Sequence, residues 1–203
     1  MLLGTQRILA ASVGLLWLGG VLAGTFVMGR YANSPGQPAA PPLSWPGASR
    51  VSRVQDRQTL VMFVHPHCPC SRASVGELAL LMAHAQGRVD AHVLFLQPAQ
   101  MESSWVQSDT WREAERIPGV TVHGDLNGRE ARLFRAETSG DTVLYDTKGG
   151  LVFHGGITVS RGHSGDNPGR DALQAMLLGM PASRTNTPVF GCSLFECKLG
   201  DRR

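Results

Sequence analysis

Residues 59–74 read TLVMFVHPHCPCSRAS, and this stretch decides the fold. Its first seven residues form a short, nearly continuous apolar run of β-type residues, the pattern of a strand covered on both faces. The chain then turns through two prolines and two cysteines into a helical pattern in which Val75, Leu78, Met82 and Ala85 recur at three- and four-residue steps until Gly87. The apolar run 91–96 reads as a second buried strand, so the unit is β-α-β and its strands are parallel.

Outward from that unit, the sequence predicts a helix over 102–117 containing Trp105 and Trp111, a short strand at 120–122 and a helix over 130–136. Runs 142–145 and 151–154 flank Asp-Thr-Lys-Gly-Gly, turn chemistry that makes them a hairpin. After a polar loop, 171–178 forms a last helix.

On the N-terminal side, residues 8–29 carry no charge and are bracketed by Arg7 and Arg30. As a helix this run is long enough to cross a bilayer core of about 30 Å. The expectation is an uncleaved signal anchor over 1–30, single-pass, with the remainder facing the periplasm or another extracytoplasmic side. Residues 31–50 are rich in proline and small residues, a composition that stays extended and solvated and reads as a tether. The body is then 51–180, followed by a cysteine-containing tail, 181–203.

The chain has 203 residues, 42% hydrophobic and 17% charged, and a net charge of +3 spread evenly. That excludes a disordered chain and gives no basic surface for nucleic acid. Four cysteines occur as two close pairs, Cys68 with Cys70 and Cys192 with Cys197, which allow three disulfide connectivities.

If Cys68 takes the N-cap of the first body helix, Pro69 falls at the first helical position and the amides of Cys70 and Ser71 point back at its sulfur. Such a field favours thiolate, the attacking species, so Cys68 is the expected nucleophile. His65, His67 and Arg72 surround it with further potential cations. Cys70 is the first-choice resolving thiol, although a Cys68–Cys70 disulfide closes a very small, strained and easily reduced ring. The hairpin returns the loop SRGHSGDNPG (160–169) to the same end of the sheet, so Arg161 and His163 are expected to flank the cysteines and assist activation and proton transfer. Cys192 can reach the site along the extended segment 181–191, or it can pair locally with Cys197; the short loop favours the local pair.

The element order and the cysteines at the strand-to-helix corner resemble the thioredoxin superfamily over roughly 55–180. The resemblance implies an α/β fold, a thioredoxin-like central mixed sheet flanked by helices, here preceded by one transmembrane helix. The segments HPHCPCSRAS, TSGDTVLYDTKGGLVFHGGIT, SRGHSGDNPG and TPVFGCSLF are together similar to the envelope-anchored group labelled RedB. Two departures stand out. The cysteines are spaced C-x-C, with Ser71 where the superfamily's second cysteine stands. Asp141 occupies the place of the cis-proline with which relatives present backbone to peptide substrates, and it could oppose the thiolate or hold His67 or Arg161.

The function expected is a membrane-anchored thiol-disulfide oxidoreductase, without cofactor, acting on a protein or small-molecule thiol or disulfide. One rival is a Cu(I)- or Zn(II)-binding metallochaperone or assembly factor using His67, Cys68 and Cys70 as soft ligands. Another is a non-catalytic envelope regulatory protein that uses the fold as a binding surface.

Overall fold

The computed structural model describes residues 2–85 and 87–195. Two compact units result, 1–34 and 35–203. The first is the helix α1 (Leu2–Ala32), whose segment Gln6–Ala32 is long and apolar enough to span a membrane.

The second unit is built on a five-stranded sheet. Its elements follow in the order β1 (Gln58–Val64), α2 (Ser71–His84), β2 (Val89–Gln97), α3 (Ser103–Val106), α4 (Asp109–Glu115), β3 (Val120–Leu126), α5 (Arg129–Leu133), β4 (Asp141–Tyr145), β5 (Leu151–Gly155) and α6 (Pro168–Leu177). The sheet order is β3-β2-β1-β4-β5, with β1 parallel to β2, β2 parallel to β3, and β4 antiparallel to both β1 and β5.

Strand β1 explains why the apolar run is continuous. Leu60, Met62 and Val64 pack on one face with Leu78, Leu81 and Phe95, while Val61 and Phe63 pack on the other with Phe134 and Tyr145. A half-covered strand would alternate; a central one has no polar side. Each fully buried large side chain contributes roughly 1.5–3 kcal/mol, so the two faces together fix the register.

Two expectations are corrected. The single helix over 102–117 is two helices, because Ser108 leaves helical geometry and its hydroxyl accepts from the Trp111 amide at 3.3 Å, capping α4. The solvated tether is instead a strap. Residues 35–45 lie along the domain: the Tyr145 hydroxyl donates to the Pro42 carbonyl at 2.8 Å, the Trp45 amide to Gly149, and the Leu151 amide to Leu43. The Trp45 ring meets Phe134 and Tyr145 edge-on at 5.1 and 5.2 Å. Prolines lack a donor but keep their carbonyls, and an edge strand needs acceptors for its outward amides. The same composition that suits solvent suits β5.

Candidate functional site

The loop between β1 and α2 is a pair of successive turns. The Cys68 amide donates to the His65 carbonyl at 3.1 Å, and the Ser71 amide to the Cys68 carbonyl at 3.1 Å. Pro69 is the second residue of the latter turn, where its fixed φ is favourable. Cys70, at φ −69° and ψ −26°, is the N-cap of α2, and it makes no side-chain cap. The expectation that Cys68 caps the helix is therefore corrected: the turn consumes the Ser71 amide, and the sulfur lies ahead of the helix.

What favours the thiolate comes from elsewhere in the chain. Cys192 Sγ lies 3.0 Å from Cys68 Sγ. The Cys68 thiol is held far below its ordinary value, first by the Cys192 thiol, then by the Cys70 thiol, with burial opposing and the Ser71 hydroxyl and Cys192 backbone amide adding to the stabilisation. Cys192 is pushed up first by its hydrogen bond with Cys68, then by that with Cys70, and by burial, which penalises its charged form. For Cys70, the bond with Cys192 lowers, but donation to Cys68, burial and the Cys68 charge together raise it. The three sulfurs are coupled, the directions favour charge on Cys68 over Cys70 and Cys192, and Cys68 is only 3% exposed.

A buried serine pair joins this loop to β4. Ser139 Oγ accepts from the His65 amide at 2.7 Å and lies 2.7 Å from Ser71 Oγ. The Ser139 amide donates to the Cys192 carbonyl at 2.8 Å, so one residue holds both cysteine segments. Sequence reasoning did not single out Ser139; its position just before Gly140 and Asp141, at the end of the sheet that carries Cys68, was the available signal.

The other expected residues divide. Arg161 reaches the tail, donating to the Gly191 carbonyl, and its charge pulls the Cys70 thiol down. His163 is half-buried with its amide on the Ser160 carbonyl at 3.2 Å; among the described residues its ring makes no hydrogen bond to a cysteine sulfur. His67 points to the other side, with Nε2 3.0 Å from the Trp105 carbonyl and its ring 4.6 Å from that indole. His65 Nδ1 accepts from the His67 amide at 3.2 Å, and burial lowers its pKa against the pull of the Cys68 charge. Arg72 is exposed and faces Asp109 and Glu113 on α4. Asp141 holds neither His67 nor Arg161: Oδ2 accepts from the Glu137 amide at 3.2 Å, and burial pushes its carboxyl up to about 7.

Among the described residues, no group of three or more His, Cys, Asp or Glu is arranged to hold a metal ion. Cys197, and with it the expected Cys192–Cys197 pair, lies outside the described residues.

A sheet of order β3-β2-β1-β4-β5, with β1-α2-β2 parallel, a terminal antiparallel hairpin and cysteines after β1, decides the architecture. The fold is thioredoxin-like. No family model and no curated protein matches the chain. Among solved structures, the domain is similar to a hypothetical protein from Sinorhizobium meliloti 1021, at 22% identity and TM-score 0.57, covering 81% of this chain and 96% of that one. It is also similar to an uncharacterised conserved protein from Geobacillus kaustophilus, at 20% identity and TM-score 0.54, covering 83% and 95%. A secreted Mycobacterium tuberculosis disulfide oxidoreductase matches at 15% identity and TM-score 0.45, covering 62% and 84%. The first two likenesses, both under 25% identity, bear on the fold alone.

Proposed function

We propose that this chain is a membrane-anchored thiol-disulfide oxidoreductase related to the RedB-like group, held by the helix Gln6–Ala32 with its domain on an oxidising, extracytoplasmic side. The observation that carries the reading is the approach of Cys192 Sγ to within 3.0 Å of the Cys68 sulfur, with the thiolate favoured on Cys68.

The reaction follows from that asymmetry. The Cys68 thiolate attacks one sulfur of a substrate disulfide; the substrate S–S bond breaks, and the leaving sulfur departs with the bonding pair and takes a proton. Cys192, deprotonated as the first charge is consumed, then attacks Cys68 in the mixed disulfide. The second substrate thiol leaves, the substrate has gained two electrons, and the protein holds a Cys68–Cys192 disulfide. A dithiol partner reverses the last step, and the whole sequence run backwards oxidises a substrate dithiol. Arg161 positions the tail during both attacks, and Cys70 shares the proton between them. His67 and His163 serve proton exchange with solvent at the rim.

Peptide mapping of the oxidised, full-length protein under non-reducing conditions tests the resolving thiol. The expected product is a crosslink joining the peptide that contains Cys68 to the one that contains Cys192. A crosslink confined to Cys68 and Cys70, or no crosslink to Cys68 at all, defeats this assignment.

A further inference from the structure

The nucleophile is covered by the tail. The tail meets the loop before β4 in one antiparallel bridge, Thr138 with Ser193: the Ser139 amide donates to the Cys192 carbonyl at 2.8 Å and the Leu194 amide to the Glu137 carbonyl at 2.9 Å. Upstream, Val189 and Phe190 are buried at 6% and 9% exposure, and the Gly36 amide of the strap donates to the Val189 carbonyl at 2.8 Å. Main-chain pairing of this kind gives affinity with little regard to sequence, while side-chain pockets give specificity.

Specificity is visible at one position. A Cβ on Gly191 would overlap the Ser139 carbonyl oxygen, so the residue directly before the tail cysteine has no room for a side chain. The carbonyl of that same residue is the one Arg161 holds. The groove therefore reads an extended chain with two apolar residues, then glycine, then the reacting cysteine.

Resting on the oxidoreductase reading, we propose that residues 189–194 act as a tethered pseudosubstrate, and that the substrate is a polypeptide segment with glycine immediately before its cysteine and apolar residues ahead. Such a segment takes the tail's place in the same antiparallel register, which brings its sulfur to the position Cys192 Sγ occupies. When the tail returns, Cys192 both resolves the mixed disulfide and displaces the product strand.

The test uses the full-length reduced protein in detergent and a synthetic peptide of the tail's own sequence TPVFGCSLF (187–195), its cysteine activated as a 2-pyridyl disulfide. Attack by Cys68 forms the protein–peptide disulfide and releases one 2-thiopyridone, which is read by absorbance. Cys192→Ser lacks the resolving thiol, so each attack by Cys68 leaves a mixed disulfide that persists and can be counted against the 2-thiopyridone released. Replacing the peptide glycine by alanine is expected to slow the Cys192→Ser protein at least about tenfold, while the rate with free 2,2′-dipyridyl disulfide stays unchanged. Equal rates for the glycine and alanine peptides overturn the pseudosubstrate proposal. A Cys68 that fails to react even with 2,2′-dipyridyl disulfide overturns the oxidoreductase reading instead. Cys192→Ala serves as a second variant, since the glycine dependence must appear in it as well.

Discussion

Two segments carry the described cysteines, and they are held in opposite ways. The loop with Cys68 and Cys70 is shaped mainly by its neighbours in sequence, two turns, a proline in its favoured place and the start of α2, with Ser139 pinning its two ends. The segment with Cys192 is fixed by residues thirty or more positions away, through backbone pairing to 137–139 and the Arg161 side chain. A locally built nucleophile keeps its geometry when the partner strand leaves. The tail is held by two main-chain bonds to 137–139, the Arg161 side chain and the buried Val189, Phe190 and Leu194, and these are the contacts it must give up and remake for exchange.

The largest effect expected is chemical. Cys68→Ser removes the only sulfur in the cluster on which charge is favoured, so mixed-disulfide formation with any disulfide substrate should fall to background, as read by trapping on non-reducing gels. Cys192→Ser should instead let the mixed disulfide accumulate. If the two variants behave alike, the division of labour between the segments is wrong.

Asp141 links the comparison to pH. It sits on β4 opposite Phe63 and takes the Glu137 amide, which anchors the loop to which the tail is paired. Its carboxyl is raised to about 7 in the fold by burial, whereas in the unfolded chain it titrates near 4. The folded state therefore binds this proton more tightly. That stabilisation is fully present below about pH 4 and is lost as pH rises through 7, a total on the order of 4 kcal/mol. Denaturant titrations of wild type and Asp141→Asn should diverge across that window, with the wild type losing more stability than the variant, which keeps only the contribution of other raised carboxyls such as Asp125. Parallel profiles would mean that the carboxyl is not buried as described.

How much of this was legible depends on the range of the cause. Strand β1 was, because burial on both faces leaves a continuous apolar run; so was the hairpin, where Asp146 Oδ1 accepts from the amides of Lys148 and Gly150 at 2.8 Å each. The cysteine corner was legible as a place and not as a geometry, since whether Pro69 opens a helix or sits inside a turn is decided by where the Ser71 amide goes. Residues 35–45 were misread because proline-rich backbone looks alike whether its carbonyls face water or Tyr145 and Leu151. That Cys192 can reach the site was legible from the length of 181–191, alongside the rival local pair with Cys197; its register was not, because that depends on Ser139 and Arg161.

Ser139 is the joint between the two segments, and removing its hydroxyl tests the local one. In Ser139→Ala the His65 amide and the Ser71 hydroxyl lose their shared partner in a site with 1% exposure. Leaving buried groups unsatisfied costs about 1–3 kcal/mol. The backbone bond from residue 139 to Cys192 survives the change, so thermal stability should fall while the Cys68–Cys192 disulfide still forms in a glutathione buffer.

Gly191→Ala is the converse and the smallest effect. The added methyl meets the Ser139 carbonyl oxygen, a backbone atom that cannot rotate away, so the tail must shift, and Leu194 of the second core moves with it. The equilibrium between reduced thiols and the Cys68–Cys192 disulfide should move about tenfold toward the thiols, equivalent to about 1.4 kcal/mol. Because the variant alters neither sulfur, a shift in that equilibrium without loss of fold would assign it to the seating of the strand. An unchanged equilibrium would mean that Cys192 finds Cys68 without the pairing to residues 137–139, and the tail would then be a flexible arm with no recognition of its own.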